Sequence, residues 1–176
     1  LFAYGAYFKD AAGASYVFRL TGYAPKLLGA YFLDASHCSS AAINLDSTIF
    51  ATVKDCVVVN TTTGLFTSDT TPANSSYKGV NDCSVSNLRV NTYTTAGVKI
   101  GVNTSSNNFT DIICECGYGS DGSGGNIPKP GTSGFLLDGT GSTIAYGGNT
   151  FTSCTALGHQ WGFNLVYATL DRFIGC

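Results

Sequence analysis

Phe151-Thr-Ser-Cys154-Thr-Ala-Leu-Gly-His-Gln-Trp-Gly162-Phe-Asn-Leu165 contains the whole grammar of this chain. An apolar residue, two spacers and a cysteine are followed, eight residues after the cysteine, by a glycine that opens an apolar run. The first half of that frame recurs as Val53-Lys-Asp-Cys56, Val80-Asn-Asp-Cys83, Phe109-Thr-Asp-Ile112 and Phe173-Ile-Gly-Cys176. The second half recurs as Gly64-Leu-Phe, Gly97-Val-Lys-Ile and Gly134-Phe-Leu-Leu, and the step from Cys56 to Gly64 equals that from Cys154 to Gly162. The anchors lie 27, 29, 42 and 22 residues apart, close to the period of solenoid repeats. Small inward residues at one point of each turn, with insertions absorbed between them, predict an all-β chain wound as a right-handed parallel β-helix.

Composition agrees. Of 176 residues, 44% are hydrophobic, 11% are charged and 22 are glycine, and Glu115 is the single glutamate. Thr, Ser and Asn dominate the polar set, which suits the outer faces of many short strands and not solvated helices. A net charge of −2 with no basic stripe leaves nothing to neutralise phosphates, so no nucleic-acid partner is expected. No apolar run reaches the 18 residues of a membrane span, and Leu1-Phe-Ala-Tyr-Gly has no basic start, so neither membrane insertion nor a signal peptide is read here. The chain reads as one β-helical segment, 1–176, cut from a longer protein at both ends. Three Gly/Ser/Thr/Pro-rich stretches, 67–78, 117–133 and 139–148, read as lateral loops.

The seven cysteines mostly fall at or beside the repeat frame and read as small interior residues. Cys114-Glu-Cys116 lacks zinc spacing, and His37 and His159 stand alone, so no metal and no cofactor is expected. His37 beside Cys38 would point to the opposite face of a strand, against a Cys–His nucleophile.

Aligning the frame stacks Asp55, Asp82 and Asp111 just before the anchor residue, one above another about 4.8 Å apart. Three chemistries fit such a column: corner caps that accept from nearby backbone amides, a carboxylate pair for acid/base sugar hydrolysis, or oxygen ligands for calcium. Glu115 faces outward with Asp111, about 13 Å along the strand, and would pair more easily with Asp82 or Asp138 on another rung. Asp82, Asp111 and Glu115 are therefore the candidate catalytic carboxylates. Trp161, before the repeat glycine, reads as a partly exposed aromatic at a turn, suited to stacking on a sugar. His159, Gln160 and Tyr118, at the mouth of the longest loop, complete the candidate substrate-binding set.

Tyr16-Val-Phe-Arg-Leu-Thr-Gly-Tyr-Ala-Pro-Lys-Leu-Leu-Gly-Ala-Tyr-Phe-Leu-Asp34 resembles the start of the β-helix in tailspikes of tailed bacteriophages. Asn149-Thr-Phe-Thr-Ser-Cys154 and Asn107-Asn-Phe-Thr-Asp-Ile112 are similar to rungs of that family and of the pectin-lyase-like superfamily. The resemblance implies a homotrimeric virion tail protein, extracellular, that binds host surface polysaccharide and cleaves it as a glycosidase or depolymerase. A glycan-binding fibre or adhesin without catalysis, and a secreted polysaccharide lyase, are the other readings. Arg89 is the only mid-chain arginine, and the calcium-binding Asp clusters of pectate lyases are not evident.

Overall fold

The computed structural model describes residues 2–9, 11–70, 79–116, 118–120, 126–142 and 147–176, with side chains at all of these except 2–6, 32, 33, 118–120 and 126. Among the described residues the chain is all-β, without a helix, and its parallel sheet curls into a half-barrel.

Three parallel ladders build the sheet. The first runs through β1 (Phe2–Lys9), β3 (Lys26–Asp34), the start of β5 (Thr52–Ser68), the start of β7 (Ser84–Ile100), β9 (Asn108–Glu115), β12 (Thr150–Thr152) with β13 (Thr155–Leu157), and β15 (Arg172–Ile174). The second runs through β2 (Tyr16–Tyr23), β4 (Ala41–Ile49), the ends of β5 and β7, β11 (Asn126–Asp138) and β14 (His159–Val166). The third is short, linking Ile49 to β6 (Val80–Asn81), β8 (Thr104–Ser105) and Gly147.

The registers correct one part of the sequence alignment. Val53 pairs with Val85, and Cys56 with Leu88, while Val80 and Asn81 pair with Thr104 and Ser105 on the third ladder. The rung after Val53-Lys-Asp-Cys56 is therefore Val85-Ser-Asn-Leu88, not Val80-Asn-Asp-Cys83. The two stretches look alike because both ladders pass through the same kind of corner.

That corner is a residue in the left-handed region. One position past the paired Leu28, Lys54, Ser86, Thr110, Thr152 and Ile174 stand Gly29, Asp55, Asn87, Asp111, Ser153 and Gly175, with φ between 48° and 70°. The third ladder turns likewise at Ala24, Phe50, Asp82, Ser106 and Gly148. Gly, Asn and Asp take this conformation at least cost, which explains the recurrent Asp of the sequence frame. Asp55, Asp82 and Asp111 each stand at such a corner.

Inside, two aromatic stacks meet. Phe109, Phe151 and Phe173 stack at 4.8 and 5.0 Å, with ring planes within 11°. Phe135 and Phe163 stack at 4.7 Å. These separations match the spacing of hydrogen-bonded strands, about 4.7–4.9 Å, so backbone pairing and ring stacking share one period. The stacks touch edge to face, Phe135 on Phe151 at 79° and Phe163 on Phe173 at 77°. Phe151 is fully buried within this cluster and Phe173 is 37% exposed.

The repeat glycines, Gly64, Gly97, Gly134 and Gly162, form a column one residue before the paired Leu65, Val98, Phe135 and Phe163. Their role is close approach. A Cβ on Gly64 would lie 2.4 Å from Val90, and one on Gly97 2.3 Å from the Cys114 sulfur. At Gly162 the nearest atom would be 3.7 Å away. Gly162 sits inside β14 rather than at a turn, and it leaves room for a side chain of its own.

The expected loop 117–133 also changes character. Tyr118–Ser120 is a strand, β10, antiparallel to Asn126, Ile127 and Pro128 of β11, and β11 continues through Ser133. Backbone pairing joins Tyr118–Ser120 to Asn126, Ile127 and Pro128 without any apolar alternation to announce it. Thr67 and Ser68 end β5, while 71–78, 117, 121–125 and 143–146 of the expected loops lie outside the described residues.

Two stability outcomes follow in chemical denaturation. Phe151→Ala lowers the unfolding free energy by about 3–5 kcal/mol, and Phe173→Ala costs less than half as much. Gly97→Ala costs about 1–3 kcal/mol through overpacking against Cys114, whereas Gly162→Ala is close to neutral.

Candidate functional site

Along the first ladder, side chains alternate past the corner. Cys56, Leu88 and Ile112 point inward and are buried, and Val57, Arg89 and Ile113 point outward. Val58, Val90 and Cys114 are buried again, and Val59, Asn91 and Glu115 return to the outer face. Three rungs thus present one outer strip that starts at Asp55, Asn87 and Asp111.

A cleft of about 220 Å³ opens at that start, with Tyr31, Asp55, Asn87, Arg89, Asp111 and Ile113 in its lining. The Asn87 amide donates to Asp55 Oδ1 at 2.8 Å, fixing that carboxylate toward its neighbouring rung. Asp55 and Asp111 stand two strand spacings apart, about 10 Å between backbones. Arg89 lies 3.6 Å from Glu115, and both side chains are about half exposed, at 54% and 47%. An ion pair so open to water contributes about 1 kcal/mol or less, so Arg89 can trade Glu115 for a ligand at little cost.

Of the carboxylates read from sequence, Asp111 lines this cleft and Glu115 holds the arginine at its side. Asp82 does not join them. It turns the third-ladder corner between Phe50 and Ser106, and Asp138 pairs with Val166 on the second ladder. Glu115 faces Asn91 and Leu157 across its rungs, so no carboxylate partner stands beside it in the ladder. Asn87 was missed because the slipped frame put Asp82 in its place. Its own signal was legible: Val85-Ser-Asn-Leu88 repeats the frame with the other residue type that tolerates the left-handed corner.

The expected sugar-binding residues disperse. Trp161 is 44% exposed on β14, paired with Ser133 on the second ladder and away from the first-ladder cleft. Gln160 is tied down, its Oε1 accepting from the Gly131 amide at 2.7 Å. Tyr118 belongs to β10, and its side chain lies outside the described residues. His159 is 7% exposed and turns inward. Its Nδ1 is 2.5 Å from the Tyr93 hydroxyl, with the rings stacked at 5.7 Å, while Nε2 is buried without a partner near Gly134. Such a histidine cannot meet a surface ligand; it serves the core.

Six cysteines are buried free thiols and Cys176 is exposed. Burial pushes Cys83 up to about 11 and Cys154 up to about 12, which makes them poor nucleophiles. Cys38 is buried while the adjacent His37 is exposed, and the two stand in the turn between β3 and β4 rather than on a strand. Among the described residues no three His, Cys, Asp or Glu side chains gather around a metal-sized space, and no helix is long and apolar enough to cross a membrane.

No protein-family model, curated protein or solved structure matches this chain.

Burial holds the His159 imidazole below its usual value, so the folded state resists a proton that the unfolded state accepts below about pH 6.5. Stability is therefore full above that pH and falls as the pH drops through it toward the lowered folded value. Urea midpoints measured between about pH 7.5 and pH 5 show this decline in the parent chain, and it flattens in His159→Phe.

Proposed function

We propose that the half-barrel is an arc of a right-handed parallel β-helix of the bacteriophage tailspike kind, carried on the virion tail as a homotrimer, and that it binds host surface polysaccharide. The observation that carries this reading is the first-ladder cleft. There, three successive rungs offer two carboxylates, an amide and a guanidinium in a row beside Tyr31. Sugar hydroxyls call for that mixture: oxygen acceptors, planar donors and an apolar ring wall, all on a rigid surface. A strand-built site is suited to a repeating polymer, because the same corner recurs at each rung.

Cleavage is a second reading, favoured by the separation of Asp55 and Asp111. Two strand spacings give about 10 Å between backbones, near the upper end of the about 6.5–9.5 Å between carboxyl groups of inverting glycosidases. In that reaction Asp111 gives a proton to the departing glycosidic oxygen. Asp55, oriented by Asn87, takes a proton from the water that attacks the anomeric carbon from the opposite side. Glu115 enters as the residue that positions Arg89. Without such cleavage the same cleft describes a binding fibre.

The test is a panel of bacterial capsular and O-antigen polysaccharides, measured for retention and for release of reducing ends. Binding by the parent chain that falls about tenfold or more in Asp55→Ala and Arg89→Ala supports the glycan reading. Release that falls about 10²-fold or more in Asp111→Asn, with binding kept, supports cleavage. Absence of binding across the panel overturns the assignment.

A further inference from the structure

The outer strip that begins at Asp55 ends at a second corner. Val59 pairs with Asn91, and the next residues, Asn60 and Thr92, are left-handed with φ of 51° and 57°. Beyond them the ladder slips. Thr61 pairs with Tyr93 but Thr63 pairs with Ala96, so Thr94 and Thr95 together oppose Thr62. A bulge of this kind bends its strand and re-aims side chains, and it opens a second cleft here of about 330 Å³. That volume lies within the about 300–1,000 Å³ of small-ligand sites.

The lining chemistry differs from that of the first cleft. Ser36, Asn60, Thr62, Thr92 and Thr94 surround the opening, none of them charged, and Tyr93 closes the back. The Tyr93 ring is held rigid, with its hydroxyl on His159 and its carbonyl accepting from Lys129 Nζ at 3.1 Å and from the Cys116 thiol at 3.0 Å. Thr62 spends its hydroxyl proton on the Cys38 carbonyl, at 3.2 Å. Asn60, Thr92 and Thr94 are exposed, and among the described residues their side-chain amide and hydroxyls engage no protein partner. The cleft therefore offers one amide and two hydroxyls, free to donate and accept, on a floor made rigid by the fully buried Tyr93 beneath it.

We propose that this cleft is a second binding subsite, taking a neutral, hydroxyl-bearing sugar unit of the same polymer whose neighbouring units lie over Arg89 and Asp111. The inference rests on the glycan reading of the first cleft. From Asp55 to Asn60 is five residues of strand, about 16 Å, so one ligand running along β5 and β7 reaches both. An uncharged lining gives no compensation for burying an ionised substituent, whereas ring hydroxyls find both donors and acceptors.

The probes are size-graded neutral oligosaccharides (malto-, cello- and manno-series) and partial hydrolysates of any polysaccharide retained by the parent chain, titrated calorimetrically. In the parent, affinity rises once the oligosaccharide is long enough to span both clefts. Thr94→Phe fills the second cleft and Asn60→Gly removes its amide while keeping the left-handed corner. Both should lose that length-dependent gain, about tenfold, with unchanged affinity for the shortest binders. Thermal melts matched to the parent exclude misfolding as the cause. Long oligosaccharides that bind both variants as tightly as the parent overturn the subsite and leave the first-cleft reading standing. Failure of every glycan to bind the parent overturns both.

Discussion

A chain that stacks rungs in parallel must change direction at the same place in every rung, and here it does so through a left-handed residue. The corner lies within β3, β5, β7 and β9 and just after β12 and β15, at Gly29, Asp55, Asn87, Asp111, Ser153 and Gly175. A substitution by a β-branched residue at such a point would force a side chain against its own backbone. On the first ladder this corner holds only small residues, Gly, Asp, Asn and Ser, before any ligand is considered. Asp55, Asn87 and Asp111 owe their presence to conformation first, and whatever they bind is a use made of side chains that the turn already requires. Only the exposed face of that selection, with Arg89 set beside it, distinguishes the cleft from the other corners.

Packing then obeys the same period. Phenylalanine rings on consecutive rungs stack at 4.7–5.0 Å, equal to the strand spacing, so neither the sheet nor the core has to yield to the other. The glycine column supplies the complementary condition. Where Val90 and Cys114 crowd the adjoining strand, a side chain at Gly64 or Gly97 would hold the two ladders apart. Aromatic stacks set how the rungs rise, and glycines set how closely the ladders fold onto one another.

Much of this was legible in the sequence. The all-β class, the parallel stacking, the inward cysteines and the repeat glycines are all written in residue type and interval. Phe109, Phe151 and Phe173 were recognisable as inward stack residues because an aromatic opens the frame, but Phe50, which reads the same way, turns a corner with its ring 47% exposed. Register was harder, because Val80-Asn-Asp-Cys83 and Val85-Ser-Asn-Leu88 both satisfy an apolar-x-x-apolar frame only five residues apart. Deciding between them depends on which ladder each joins, a long-range fact that no local pattern carries. The candidate site inherited that slip: Asp111 and Glu115 share the outer face of β9, but Asp82 falls elsewhere and Asn87 takes its position. His159, read with the surface binding residues, lies in the core instead, its ring stacked on Tyr93, a contact between residues far apart in the chain that no local pattern announces.

The pairing intervals have a kinetic side. Thr52 meets Ser84, Ser84 meets Asn108 and Asn108 meets Thr150, and every described parallel contact closes a loop of more than twenty residues. Apart from the antiparallel pair of β10 with β11, no described ladder is a local hairpin that could form first and guide the rest. Loop-closure entropy must be met before any stacking returns it, which makes the first two adjacent rungs the slow event. Once they are joined, their edge offers a ready row of amides and an exposed ring to the next rung, and each addition is cheaper than the last. Growth by templating from a rare nucleus is also how cross-β fibrils extend. The lateral polar corners and unequal loop lengths of this chain, which no second copy can add in register at every rung, favour its own next segment over a stranger's.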